Sequence, residues 1–296
     1  MKSDSLKANR EKNLVALSSV LAAILLTLFK LIVGFSTNSL GILSEAAHSG
    51  LDLIAALVTL FAVKMAAKPA DEDHHFGHGK TENLSALFET VLLLITCGWI
   101  ILEVYERLTT KRVHVEVTAW SYIVVVVSII IDISRSRALS KTAKKYNSQA
   151  LEADALHFSS DIYSSLVVLI GLISYSYGFV YADSIAALIV AVIVIMISIR
   201  LGKRTIDVLM DKAPGGLKEK IETIARSIPE VLEVHDIKIR NSGADILVEM
   251  NIHVNSGMTI NRAHEISHMV EDQIQSSISN TRVIVHTEPD SYTADV

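Results

Sequence analysis

His48 and Asp52 stand four residues apart, and so do His157 and Asp161. On a helix that spacing projects both side chains from one face, separated by about 6 Å along the axis. Neutral imidazole nitrogens and carboxylate oxygens are what a divalent cation takes as ligands, and two such pairs on facing helices make a four-ligand set of the tetrahedral kind that zinc prefers. The alternative for the same residues is an interhelical hydrogen-bond network without an ion. The two segments also repeat each other: Ser39, Glu45, Ala46, His48 and Asp52 match Ser148, Asp154, Ala155, His157 and Asp161 at identical offsets. A polar pattern used twice favours one shared ligand over two coincidental networks.

Two further clusters carry potential ligands. The string Asp71-Glu72-Asp73-His74-His75-Phe76-Gly77-His78-Gly79-Lys80-Thr81-Glu82 crowds acids and imidazoles beside two glycines. It reads as a cation-wrapping loop through Asp71, His74 and His78, with His75 a bystander, or else as a solvated charged loop. Towards the C-terminus come His235, His253, His264, His268, His286 and Glu288, which a small domain could bring together. Only His75 and His114 of the 11 histidines fall outside these sets. His264-Glu265-Ile266-Ser267-His268 is also an HExxH pattern, and Glu288 follows at a peptidase-like spacing. A segment of about 80 residues has no room for a substrate cleft around it, so the chain is expected not to be an enzyme.

The elements that must position these residues follow from the apolar pattern. Runs of spanning length cover residues 14–35, broken only by Lys30, and then 40–66, 84–108, 117–133, 150–175 and 180–199. The first run is longer than a signal peptide's apolar region and lacks a small-residue cleavage site, so it reads as a retained span. Six spans place both termini on one side. Lys and Arg settle which side: one set of connections carries Lys64, Lys68, Lys80, Arg135, Arg137, Lys141, Lys144, Lys145, Arg200, Lys203 and Arg204, and the other little beyond Arg107, Lys111 and Arg112. Both termini are therefore expected in the cytoplasm, at a cell (inner) membrane. A carboxylate in mid-membrane costs about 2.5 to 3.5 kcal/mol, so Asp52 and Asp161 need a compensating partner there.

After Asp211 the composition changes at Ala213-Pro214-Gly215-Gly216. Residues 217–227 have helical spacing, 231–240 alternate like a strand, and the turn Asn241-Ser242-Gly243 leads to a second strand at 245–254. A helix over 259–277 and a last strand at 282–286 complete an α-β-β-α-β order, expected to form a small two-layer α+β domain. The expected division is a membrane domain over 1–212 and a soluble domain over 213–296.

Composition supports that class and excludes others. Half of the 296 residues are apolar, 20% are charged, and there are only 13 Gly and 4 Pro, which rules out a disordered or collagen-like chain. The single cysteine, Cys97, cannot form an intrachain disulfide, and a net charge of −5 argues against a general nucleic-acid binder.

With these residues in view, the chain resembles the cation diffusion facilitator family of divalent-metal transporters over nearly its whole length. The paired His48/Asp52 and His157/Asp161, the loop from His74 to Glu82, and Leu209-Met210-Asp211 carry the resemblance. It implies a six-helix all-α transport domain, a ferredoxin-like cytoplasmic domain, and a homodimer in the lipid membrane that exchanges metal for protons. It places the transport site at His48, Asp52, His157 and Asp161, a loop site at Asp71, His74 and His78, and a binuclear cytoplasmic site at His235, His253, His264, His286 and Glu288, which His268 would join or leave. The family's more familiar residue at the last position is aspartate. Histidine in both spans is, in this family, typical of zinc, so Zn²⁺ is the expected substrate and regulatory ion. The resemblance also makes Lys80 and Asp211 a charge pair. An exporter of manganese or iron is the nearest rival, and a passive channel would conduct without proton counterflow. Protons and Zn²⁺ compete for the same imidazole and carboxylate lone pairs, which gives such an exchange its chemical basis.

Overall fold

A computed structural model of the chain describes residues 2–37, 40–110, 119–176, 182–243 and 245–290. Ser39, and the loop cations Lys111 and Arg112, lie outside the described residues. Six long helices come first: α1 (Lys2–Thr37), α2 (Leu40–Ala66), α3 (Thr81–Thr110), α4 (Ala119–Tyr146), α5 (Gln149–Ser176) and α6 (Ala182–Leu209). The C-terminal segment adds α7 (Leu217–Arg226), β1 (Glu233–Ser242), β2 (Asp245–Val254), α8 (Ile260–Ser277) and β3 (Thr281–Pro289), the element order read from the sequence. The chain resolves into two compact units, residues 1–69 with 81–206, and residues 70–80 with 207–296.

The helical unit is built the opposite way round from a soluble bundle. Along α1, Leu14, Leu17, Leu21, Leu25, Leu28 and Ile32 recur every three or four residues and are exposed. The opposite stripe buries Ala16, Val20, Ala23 and Leu26 together with the polar Lys12, Ser19 and Lys30. An apolar outer face around a partly polar interior suits hydrocarbon as solvent. Among the described residues, segments of α1 (Leu6–Ser36), α2 (His48–Ala66) and α3 (Thr81–Glu106) are long and apolar enough by themselves to cross a membrane. Small residues such as Ala56 on α2 and Ala150 and Ala155 on α5 sit in the packed core of this unit and let neighbouring backbones approach closely.

Two helices outrun the apolar segments that announce them. α4 continues to Tyr146 and α6 to Leu209, each about ten residues beyond the end of its run. Apolar length measures the hydrocarbon to be crossed, whereas the helix goes on until the backbone is broken. Residues 134–146 contain neither Gly nor Pro, and the breaks come at Asn147 and Asp211, both at positive φ (49° and 57°).

In the second unit β1 and β2 pair as an antiparallel hairpin and β3 joins β2 in parallel, giving the sheet order β1-β2-β3. Val248, Met250, Ile252 and Val254 alternate onto one face, where Ile266, Val270 and Ile274 of α8 and Ile221 of α7 close a single apolar core. The other face carries the odd-numbered residues of β2, among them Asn251 and His253. The loop 70–80 belongs to this unit: Lys80 Nζ lies 2.7 Å from Asp211 Oδ1, and the Arg240 guanidinium stacks 4.3 Å above the Phe76 ring. Gly79 meets the hairpin end so closely that a Cβ there would stand 2.7 Å from the Ser242 carbonyl oxygen.

Candidate metal centres

The α2/α5 repeat converges. His157 Nε2 lies 2.9 Å from Asp52 Oδ1, the spacing of an imidazole N–H donating to a carboxylate. His48 Nε2 stands 3.9 Å from Asp52 Oδ1 and 3.8 Å from Asp161 Oδ1, and His157 Nε2 stands 3.8 Å from Asp161 Oδ2. Ligands held about 2.0 Å from a tetrahedral ion are about 3.3 Å from one another; His48, Asp52 and Asp161 each offer an atom at mutual ligand spacing, and His157 joins them through its contacts with the two carboxylates. One helical turn within each helix and the crossing of two helices suffice to make this set. His157 is buried and its Nδ1 has no hydrogen-bond partner, while His48 is partly open. Lys30 of α1 donates to Ser49 Oγ at 2.8 Å, placing a cation among the neighbours of Asp52.

The loop set Asp71, His74 and His78 is also brought together. Asp71 Oδ1 accepts from the His74 amide at 2.7 Å and the Asp73 amide at 3.1 Å, closing a turn around its own carboxylate. His74 Nδ1 and His78 Nε2 each lie 3.3 Å from an Asp71 oxygen, with the two rings 4.5 Å apart. The His74 amide, against an opposing effect of burial and with a further contribution from the Asp73 amide, holds the Asp71 carboxyl below the usual carboxylate range. Gly77, at φ 79°, lets the chain turn back so that His78 reaches the same oxygen pair. His75 has no part in the set.

In the second unit the register selects the third set. His253 on β2 pairs with Glu288 on β3, and His235 on β1 pairs with Asn251, two residues before His253, so all four share the sheet face turned away from α8. His235 Nε2 and His253 Nε2 are 3.1 Å apart, and each is 3.1 Å from Glu288 Oε2. A β-bulge between His235 and Lys238, with Asp236 at φ 51°, re-aims β1 next to this cluster. His286, also on this face, is largely exposed and stands 3.5 Å from Glu288 Oε1. The structure does not bring His264 and His268 to this set: both ride on α8, which covers the opposite face. They pair with each other at 3.2 Å between Nε2 atoms, and His268 Nδ1 meets Glu271 at 3.0 Å.

Sequence reasoning missed several partners. Asn251 Nδ2 donates to Glu288 Oε1 at 3.1 Å and so orients that carboxylate; its place two residues before His253 on an alternating strand was the available signal. In the helical unit, Lys12, Glu82 and Ser148 form a buried network, with Lys12 Nζ 2.7 Å from Glu82 Oε1.

Comparison with known proteins adds the family. The family model for the cation efflux transmembrane domain matches residues 16–210, and that for the cation efflux protein cytoplasmic domain matches residues 213–290. The chain belongs to the cation diffusion facilitator family. This facilitator is 35% identical over 280 residues to an uncharacterized transporter of Methanocaldococcus jannaschii, covering 94% of this chain and 99% of the other. It is 29% identical to the cation-efflux pump FieF of Shewanella oneidensis, over 93% of each chain, and 31% identical to FieF of Yersinia pestis, over 93% and 91%. Among solved structures, the MamM CTD in a nickel form matches 26% of the chain and all of that structure at 25% identity (TM-score 0.26). The zinc form of the putative zinc transporter CzrB matches 28% of the chain and 98% of that structure at 22% identity (TM-score 0.27). The facilitator is thus a membrane protein of a transporter family, with a helical transmembrane domain and an α+β cytoplasmic domain.

Proposed function

We propose that this facilitator exports a divalent cation, zinc foremost, from the cytoplasm across the inner membrane in exchange for protons, as a homodimer with both termini cytoplasmic. The observation that carries the reading is the convergence of His48, Asp52, His157 and Asp161 inside the transmembrane domain. Two imidazoles and two carboxylates neutralise a divalent ion and match the ligand preferences of zinc. Carrying two charges outward against an inside-negative potential costs about 4.6 kcal/mol per 100 mV, so export needs a coupled downhill flow. The 2.9 Å contact between His157 and Asp52 offers that coupling: a cation needs the lone pairs that this shared proton occupies, so loading expels a proton and protonation expels the cation.

On this reading residues 1–212 are the transport domain and residues 213–296 a metal-sensing and dimerisation domain. His235, His253 and Glu288, with His286 at the margin, hold a regulatory ion, and Asp71, His74 and His78 a further one. The test is proton flux in proteoliposomes driven by Zn²⁺, Mn²⁺, Fe²⁺ or Cd²⁺, with wild type beside Asp52→Ala and His157→Ala. Zinc-driven flux lost in both variants is the expected result. Flux with Mn²⁺ or Fe²⁺ but not Zn²⁺ would replace the substrate, and flux surviving both substitutions would dismiss the quartet as the transport site.

A further inference from the structure

Glu89 and Asp154 are among the buried carboxylates of the helical unit that stand outside the quartet. Glu89 lies on α3, and Asp154 lies on α5, three residues before His157. Their side chains are fully or almost fully buried, at 0% and 1% exposure. Glu89 Oε1 accepts from the Thr59 hydroxyl of α2, and Asp154 Oδ2 accepts from the Ser19 hydroxyl of α1 at 3.2 Å. The second oxygen of each, Glu89 Oε2 and Asp154 Oδ1, is buried with no hydrogen-bond partner. Neither residue belongs to a set of atoms at metal-ligand spacing among the described residues.

The surroundings decide what such a pair can carry. Among the described residues, the charged groups acting on Glu89 are Asp154 and His157, both from α5, and α2 contributes the Thr59 hydroxyl. α6 meets α3 at Gly202 against Thr90 and in the apolar cluster of Leu93, Cys97 and Val194. Asp154 additionally feels Asp52 and Asp161 of the quartet. Two neighbouring carboxylates, each with one buried oxygen that accepts no hydrogen bond from the protein, stay ionised together only at a large desolvation and repulsion cost. A proton kept by the pair would sit on those two oxygens.

We infer that Glu89 and Asp154 form a proton-holding pair, separate from the cation ligands, that gives up one proton when the quartet loads and regains it when the quartet empties. This rests on the exchange of cation for protons proposed above. A divalent ion at the quartet, about one helical turn from Asp154, favours the doubly ionised pair. One carboxyl O–H bond then breaks, its proton passes to water on the accessible side, and the electron pair stays on the carboxylate; the reverse step protonates the pair from the opposite side. Glu89→Gln freezes the pair at the charge of its protonated form, because Asp154 alone then carries the single negative charge.

The experiment measures protons moved per Zn²⁺ in proteoliposomes holding the full chain, with the membrane potential clamped at several values, for wild type, Glu89→Gln and Asp154→Asn. Zn²⁺ binding by the detergent-solubilised proteins is measured in parallel. The expected result is that the ratio falls by one proton per Zn²⁺ in each variant that folds and binds Zn²⁺. The net charge moved per cycle rises by one in the same variants, so that steady Zn²⁺ accumulation becomes about tenfold more sensitive to each 60 mV. An unchanged ratio and unchanged potential dependence in both variants would overturn the inference while leaving the exchange intact. Loss of one bound Zn²⁺ with an unchanged ratio would make the pair a second cation site and overturn it as well. Absence of Zn²⁺-driven proton movement in wild type would instead remove the exchange on which it rests.

Discussion

Replacing Gly79 by alanine tests whether the loop 70–80 is seated on the hairpin of its own unit as described. The added Cβ would stand 2.7 Å from the Ser242 oxygen and 2.9 Å from the Gly243 nitrogen, where ordinary contact begins at 3.4 Å. Both obstacles are backbone, so no rotamer change relieves an overlap of about 0.7 Å, and overpacking of this kind costs about 1 to 3 kcal/mol. Three other glycines separate this clash from conformational cost. Gly243 combines a 2.9 Å approach to Gly79 with φ +63°, so its alanine variant adds the roughly 1 to 2 kcal/mol of a left-handed residue. Gly216 has φ +74° but open space, so only the second cost applies. Gly215 has neither, and its alanine variant is neutral or slightly stabilising. Hydrogen exchange of the full-length protein, read by mass spectrometry on peptides from the loop and from β1–β2, reports local opening. At tenfold per 1.4 kcal/mol, Gly79→Ala is expected to speed exchange there by about 5- to 150-fold and Gly243→Ala by more. Gly215→Ala should leave it unchanged. Loop exchange in Gly79→Ala at the wild-type rate would refute the seating.

The sheet face that carries His235, His253 and Glu288 and the Lys80–Asp211 pair give two further expectations. Asn251→Leu removes the donor that orients Glu288 and should weaken Zn²⁺ binding at His235, His253 and Glu288 about 10- to 100-fold, whereas His268→Ala, on the opposite side of the sheet, should leave it within about twofold; titration calorimetry on the full chain separates them, and equal losses would put α8 at the site. The hydrogen bond from Lys80, then its charge and that of Arg240, hold the Asp211 carboxyl below its ordinary value of 3.8. A depressed carboxylate stabilises the fold above the unfolded pKa and loses that contribution as pH falls through the folded one. Lys80→Met should therefore lower loop protection against exchange at neutral pH, and its difference from wild type should shrink as pH falls below 3.8; equal protection at neutral pH would show that the pair contributes nothing.

Legibility in the sequence followed periodicity. The i, i+4 pairs on α2 and α5 could be read because a helix turns every 3.6 residues, and the strand alternation around His253 and Glu288 because a sheet face repeats every two. His264 and His268 show where composition misleads: histidines count alike in a sequence, but the register of β1, β2 and β3 decides which face each meets, and α8 lies across the other one. Glu89 shows the converse. A carboxylate inside the apolar run 84–108 is a signal by itself, since hydrocarbon rarely admits one without purpose, yet only the packing of α3 against α2 and α5 identifies Thr59 and Asp154 as its neighbours. The reach of α4 and α6 beyond their apolar runs is not legible in hydropathy, which has no term for a helix that continues past its apolar segment.

The seating of the loop on the hairpin also sets an order of events during synthesis. Lys80 and Asp211 are separated by 131 residues, and the Ser242 hydroxyl that reaches the Phe76 carbonyl by 166. At about 5 to 20 residues per second, a ribosome needs roughly 7 to 26 s after making Lys80 before Asp211 exists at all. When that interval opens the first two spans are already made, while Asp71, His74 and His78 lack the surface against which their loop finally rests. The loop is thus completed among the last parts of the chain despite being made in its first third, and a chain stopped short of β1 and β2 would leave it unfinished.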